Sequence, residues 1–263
     1  MAWLRKGHRR WVIAGVLLVA VVVAAIVAWP HAQVYTGAAP PAQFYQKVQR
    51  EPALDRGYQH VLGVAHNAGN NLGTLDAALR YGAGAIEIDV ISARGQLVAG
   101  RDQPVPWLAR LLFRGPTLAE SWDRAAPAGT VKLDLKQSGR GFLGELVAFL
   151  APRAKSRRVM IVSGDPSALL YLHSRLPDLT MLYSVGEPDA VQQLRSDPAL
   201  QKDIGGVSIF QGLVTANLVA WLHQRKMFIL AWTVNDSVHL NNLVRLGVDG
   251  ITTANLAILR ALG

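Results

Sequence analysis

From Val61 to the C-terminus, short apolar runs alternate with amphipathic segments of helix length. Runs suited to buried strands start near Val61, Ala85, Val131, Val159, Thr180, Gly206, Phe228 and Val248. Between and after them, helical spacing predicts Thr74 to Tyr81, Thr117 to Ala125, Phe142 to Leu150, Pro166 to Arg175, Asp189 to Arg195, Thr215 to Gln224, Ser237 to Leu246 and Asn255 to Leu262. Several of these segments begin at a side chain able to cap a helix, as in Asp236-Ser237 and Thr253-Ala254-Asn255. Eight strand-and-helix repeats predict an α/β protein with a parallel (β/α)8 TIM barrel, whose site belongs at the carboxyl ends of the strands. His66, Asp89, Lys136, Ser163, Ser184 and Asn235 fall at or just beyond such ends. A doubly wound open sheet is the alternative, disfavoured because no glycine-rich nucleotide loop follows the first strand.

The pattern before Tyr58 is different. Trp11 to Trp29 is a 19-residue stretch without a charge, preceded by Arg5, Lys6, Arg9 and Arg10. That length spans a bilayer as a helix, and the basic cluster orients it with the N-terminus inside. The expected organisation is a cytoplasmic basic segment (1–10), a transmembrane anchor (11–29), a linker (30–57) with a stiff Ala39-Pro40-Pro41-Ala42 spacer, and the barrel (58–263). This predicts a single-pass protein of the cell membrane with its barrel extracytoplasmic. A cleavable signal peptide is the competing reading, and no small-x-small cleavage site near Ala32 supports it.

Chemistry enters with Glu87-Ile88-Asp89. On a strand these two carboxylates share one face while Ile86, Ile88 and Val90 take the other. Buried like charges force protonation unless a cation lies between them, so the pair reads either as half of a divalent-metal site or as a polar stripe on an edge strand. The neighbouring runs favour the metal site. Leu62-Gly63-Val64-Ala65 delivers His66 to a Gly/Asn-rich turn, and Asp134 and Lys136 repeat the i, i+2 device in Thr130-Val131-Lys132-Leu133-Asp134-Leu135-Lys136. Three carboxylates, a lysine and an imidazole are the parts needed to grip a phosphoryl group and move a proton. The ligands would be Glu87, Asp89 and Asp134, all hard oxygens that suit Mg²⁺ or Ca²⁺.

These residues, in this order, resemble the glycerophosphodiester phosphodiesterase family and its relative, the sphingomyelinase D branch. The likeness rests on His66, Glu87-Ile88-Asp89, Asp134-Leu135-Lys136, Ala231-Trp232-Thr233-Val234-Asn235 and Leu246-Gly247-Val248-Asp249-Gly250-Ile251, and spans about residues 60 to 260. Asp134 is closer to the sphingomyelinase D pattern, because the phosphodiesterases usually carry Glu there. The resemblance implies metal-assisted cleavage of a glycerophosphodiester or lysolipid-like phosphodiester. His66 and Lys136 would be catalytic, and Arg101 and Trp232 substrate-binding, with Trp232 at the mouth against the organic moiety. Two departures stand out. His66-Asn67 replaces the usual His-Arg, and Arg101-Asp102 stands where the family has a second His-Asp pair. Arginine holds phosphate but does not exchange a proton near neutral pH. The alternative function is therefore a catalytically impaired or inactive relative that binds phosphodiester headgroups or a protein partner at the membrane surface.

Charge and composition narrow the partners. Apart from the four N-terminal basic residues, 23 Lys and Arg stand against 18 Asp and Glu, an excess that suits anionic phosphate or phospholipid-derived substrates. It is too diffuse for a nucleic-acid surface, and no recognition motif calls for nucleic acid or a nucleotide cofactor. The absence of cysteine excludes disulfides and thiolate ligands. One segment, Pro104 to Gly115, is apolar, aromatic and basic. It reads either as a loop helix packed on the barrel rim or as an interfacial clamp placing Trp107 and Phe113 among headgroups and Arg110 and Arg114 on lipid phosphates.

Overall fold

The apolar runs become the staves of a closed barrel. The computed structural model describes Tyr58 and residues 60–93, 95–101 and 115–263. Its strands are β1 (Leu62–Ala65), β2 (Ala85–Ala93), β3 (Gln96–Ala99), β4 (Thr130–Leu135), β5 (Arg158–Ser163), β6 (Thr180–Val185), β7 (Gly206–Phe210), β8 (Phe228–Trp232) and β9 (Gly250–Thr253). All except β3 are parallel, in the order β1-β9-β8-β7-β6-β5-β4-β2, and β1 pairing with β2 closes the circle. The expected eight-stranded parallel barrel is the observed one. The ninth strand, β3, hairpins antiparallel onto β2 and stays outside the circle. It was not anticipated, because it follows β2 directly through a hairpin and so falls outside the strand-and-helix rhythm.

Helices α1 (Leu72–Arg80), α2 (Leu118–Arg124), α3 (Arg140–Leu150), α4 (Pro166–Arg175), α5 (Pro188–Ser196), α6 (Pro198–Asp203), α7 (Ala216–Gln224), α8 (Ser237–Leu246) and α9 (Leu256–Leu262) fill the connections. Side-chain capping explains seven of these nine starts. The side chains of Asn71, Thr117, Asp165, Asp197, Thr215, Asp236 and Asn255 each accept a backbone N–H of the turn that follows, and Thr117 with Glu120 completes a reciprocal box. The Asn71 cap starts α1 two residues before the expected Thr74, and the Asp197 cap creates α6, which periodicity alone missed.

Alternation divides the strands into two cores. Ile86, Ile88, Leu133, Ile161, Met181, Val207, Ile229 and Ile251 face outward into the main core shared with the helices. Inside the barrel, Val64, Ala85, Met160, Val162, Leu182 and Leu230 form a separate apolar plug, with Leu62 and Phe228 packed against it. Among the described residues no helix is long and apolar enough to cross a membrane. The expected anchor and linker lie outside the described residues, as does the Pro104 to Gly115 segment except for Gly115.

Candidate active site

Two residues beyond the plug the barrel interior turns polar. A cavity of ≈ 400 Å³ opens at the carboxyl ends of the strands, lined by His66, Glu87, Arg101, Lys132, Asp134 and Lys136 on one side. Ser184, Ser208, Trp232 and Thr233 line the other. The strand register aligns the charged side. Glu87 on β2 lies beside Lys132 on β4, and Asp89 beside Asp134. The first pair is complementary, with Lys132 Nζ 3.2 Å from Glu87 Oε2 and both side chains almost wholly buried. The second would repel, and Lys136 bridges it at 3.0 Å from Asp89 and 2.8 Å from Asp134.

Asp89, fully buried, is the hub. Its Oδ2 accepts from Asn70 Nδ2 at 2.8 Å and from Arg101 Nε at 3.0 Å, while its backbone N–H donates to Asn70 Oδ1 at 2.9 Å. With its amide oriented to satisfy both partners, Asn67 donates to the Asp89 carboxylate at 3.2 Å and accepts from Arg101 Nη2 at 3.0 Å. The β2–β3 hairpin brings Arg101 here, helped by the Gly100 N–H donating to Asp89 O at 2.8 Å. Asn67 takes the left-handed conformation (φ 54°), one that Asn tolerates better than most residues. Gly69 lets the turn lie on β2, since a Cβ there would come within 2.4 Å of Ile88 Cγ1. The unusual Asn after the histidine is therefore a structural part of the Asp89 cluster.

Ionisation follows from this packing. Burial lowers His66 from 6.5 to about 4, with Lys132 adding to the effect and Asp89 opposing it, so the imidazole is neutral at pH 7. Its Nδ1 is buried without a hydrogen-bond partner, and its backbone N–H is tied to Thr253 O at 2.8 Å. Burial raises Glu87 to about 7, against the attraction of Lys132 and with repulsion from Asp134 and Asp89 adding. Asp89 is held low because Lys136, Arg101 and Asn70 outweigh its desolvation. The charges of Asp89 and Asp134 hold Lys136 above the usual lysine value despite its burial.

All seven sequence-predicted site residues meet in this cluster or line its cavity. Glu87, Asp89 and Asp134 each bring an oxygen within 4.8 Å of the others, the donor set a hard divalent ion takes. Glu87 Oε2 lacks a hydrogen bond of good geometry, which also fits such an ion, although Lys132 faces the same oxygen. Sequence reasoning missed Lys132, Asn70 and Ser208. The signal for Lys132 was present, because i, i+2 and i+4 spacing puts Lys132, Asp134 and Lys136 on one face. Two expected strand-end residues serve the chain instead. Ser163 accepts the Asp165 N–H, and Asn235 ties β8 to the loop at Ala254 and Asn255. Among the described residues His66 is the one histidine lining the cavity.

A parallel eight-stranded barrel with lysines, an arginine, carboxylates and a neutral imidazole at its carboxyl mouth defines a phosphate-handling hydrolase of the TIM-barrel class. The chain belongs to the glycerophosphoryl diester phosphodiesterase family, phosphoric diester hydrolases whose family model matches residues 122–257. That stretch contains Asp134, Lys136 and Trp232, whereas His66, Glu87 and Asp89 precede it. No curated protein matches the sequence significantly. Solved structures match the fold over most of the chain. A Silicibacter pomeroyi protein assigned as a glycerophosphoryl diester phosphodiesterase is 21% identical, with a TM-score of 0.66 over 80% of this chain and 95% of its own. An Oleispira antarctica phosphodiesterase in complex with the product sn-glycerol-3-phosphate is 20% identical, with a TM-score of 0.61 over 76% and 95%. A Thermotoga maritima glycerophosphodiester phosphodiesterase is 16% identical, with a TM-score of 0.60 over 78% and 99%.

Proposed function

We propose that the protein hydrolyses glycerophosphodiesters or lysolipid-like phosphodiesters at the barrel mouth, and that residues 11–29 anchor it in the cell membrane with the barrel extracytoplasmic. The observation that carries this reading is a neutral, buried-edge imidazole in the same cavity as three fixed cations. Lys136 has three N–H donors, two of them directed to Asp89 and Asp134, leaving one for a phosphoryl oxygen. Arg101, at the rim, adds a planar guanidinium to the same grip. His66 takes the proton of the attacking hydroxyl as its oxygen bonds to phosphorus, and the alkoxide released when the scissile P–O bond breaks takes its proton from solvent. The lowered pKa of the imidazole keeps it ready to accept the hydroxyl proton well below pH 7.

Glu87, Asp89 and Asp134 would hold Mg²⁺ or Ca²⁺. When bound, the ion supplies Lewis-acid charge to the phosphoryl oxygens. Trp232, its ring 5.7 Å from that of Phe210, would receive the organic part of the substrate. A product such as the sn-glycerol-3-phosphate bound by the Oleispira antarctica protein suits the combination of small polar walls and cationic grip. A second reading, a headgroup-binding barrel with impaired turnover, is favoured by Arg101 standing where a proton donor is expected.

The test is an assay of the purified full-length protein on glycerophosphocholine, glycerophosphoethanolamine and a lysophospholipid, with Mg²⁺ or Ca²⁺ present and absent. Release of glycerol phosphate from the glycerophosphodiesters, or of lysophosphatidic acid from the lysophospholipid, lost in His66→Gln, is the expected result. Retention of headgroup binding without turnover of any substrate would replace hydrolysis by the binding reading.

A further inference from the structure

The proposed function leaves Lys132 unused. It is the largest of the fully buried side chains, 1% exposed, and sits just above the apolar plug, at the bottom of the cavity. Its register neighbours are Glu87 on β2, which supplies the paired carboxylate, and Met160 on β5. A buried ammonium persists only beside an opposite charge. Lys132, Lys136 and Arg101 lie at 2.8–3.2 Å from Glu87, Asp89 and Asp134, three cations to three carboxylates. A divalent ion arriving among these oxygens meets a cluster whose formal charge already balances, and it meets the Lys132 ammonium on the same Glu87 oxygen it would bind.

We infer that Lys132 is a resident cation that stands in for part of the divalent charge, holding the carboxylate trio together without an ion and keeping its affinity for Mg²⁺ and Ca²⁺ low. This rests on the reading of the trio as the ion's place in the proposed enzyme. It differs from a merely structural lysine in one consequence. With Glu87 ionised, loss of the ammonium must strengthen ion binding, because the repulsion it exerts on a divalent ion disappears while the three donor oxygens stay. Lys132→Met keeps the length and removes the charge. Lys132→Gln keeps a polar tip and covers the case in which the apolar variant folds poorly.

The experiment is calorimetric titration of Mg²⁺ and of Ca²⁺ into chelator-stripped full-length protein, wild type and both variants, with melting temperatures in chelator and in saturating ion. The expected result is weak binding and an almost ion-independent melting temperature for the wild type. The variants should bind at least tenfold more tightly and be destabilised in chelator but restored by the ion. Wild-type affinity equal to or above that of the variants overturns the inference. So do variants that are equally unstable with and without the ion, because the ammonium then has a role no ion can take. Neither readout requires turnover. A wild type that cleaves no phosphodiester while Lys132→Met gains ion binding would sink the proposed reaction and leave the resident cation standing.

Discussion

The floor and the mouth of the barrel are built from the same strands, two residues apart, and are chemically opposite. Val64 gives way to His66, Ala85 to Glu87, Leu182 to Ser184 and Leu230 to Trp232. The period-2 alternation of a strand decides only which residues face inward. Axial position decides what those residues must be. The floor is closed and dry, so its side chains are apolar and need only fill space. The mouth contacts solvent at Arg101 and Lys136 yet buries Glu87, Asp89 and Lys132, so every charge there depends on a neighbour. The dry floor strengthens that dependence, because attraction between charges grows as water is removed from beneath them. Failure should accordingly be abrupt at the mouth and graded at the floor.

The sharpest test of that contrast is Asp89→Ala. It leaves Arg101, Lys136, Asn67 and Asn70 facing an empty position, and breaking a buried pair in this way costs about 3–5 kcal/mol. Urea denaturation should register that loss together with the loss of turnover. At the floor, Leu182→Ala should cost about 2–5 kcal/mol through the cavity it opens. Its kcat at a temperature below unfolding should nevertheless stay near that of the wild type. If the Leu182 variant loses kcat as Asp89→Ala does, the floor and mouth are one mechanical unit and the contrast fails.

The same contrast explains what was legible beforehand. All eight barrel strands could be read because a buried parallel strand announces itself as a run of apolar residues, as in Val159-Met160-Ile161-Val162, whose two faces are both covered. The acidic residues and His66 could be read because charge at strand ends is rare enough to stand out. Lys132 was passed over because a lysine within a strand ordinarily reaches solvent, and sequence alone does not reveal that this one is buried against Glu87. In the sequence, Asn67 is only a departure from the usual His-Arg pair. Its actual role, linking Asp89 to Arg101, depends on residues 22 and 34 positions away. Such a role exists only in the folded chain.

Titration between about pH 5 and 6.5 acts on two groups of the mouth. Between about pH 4 and 6.5 the unfolded chain protonates His66 and the native chain does not, so the contribution of His66 is present above this window and is lost as pH falls through it. Glu87 runs the other way. Raised from 4.5 to about 7, it binds a proton in the native state that the unfolded state releases, so its contribution is lost as pH rises through that window. In the wild type the two slopes oppose and stability should be nearly flat from pH 5 to 6.5. His66→Gln should unmask a decline with rising pH, on the order of 1 kcal/mol. Chemical denaturation at several pH values checks this, and an unchanged slope in the variant would remove the opposing pair. No floor substitution should tilt the profile.

The smallest expected effect lies at the outer rim, where neither dry packing nor buried charge applies. Phe210 ends β7 with 41% of its surface exposed and leans on Trp232 at 5.7 Å between ring centroids, tilted by 59°. Register places the two residues side by side across β7 and β8. An aromatic contact of this kind contributes about 0.5–1.5 kcal/mol when well covered, and solvent on one side favours the low end. Phe210→Ala should therefore leave the fold intact and let the Trp232 ring move, weakening only the wall against the organic part of the substrate. KM should rise roughly twofold with kcat unchanged, since an equal loss of ground-state and transition-state binding appears in KM alone. Substrate-saturation curves on glycerophosphocholine and on a lysophospholipid would check both parameters. A fall in kcat instead would mean that Trp232 positions the phosphoryl group itself, and would move the aromatic pair from the uncharged wall into the charged machinery opposite.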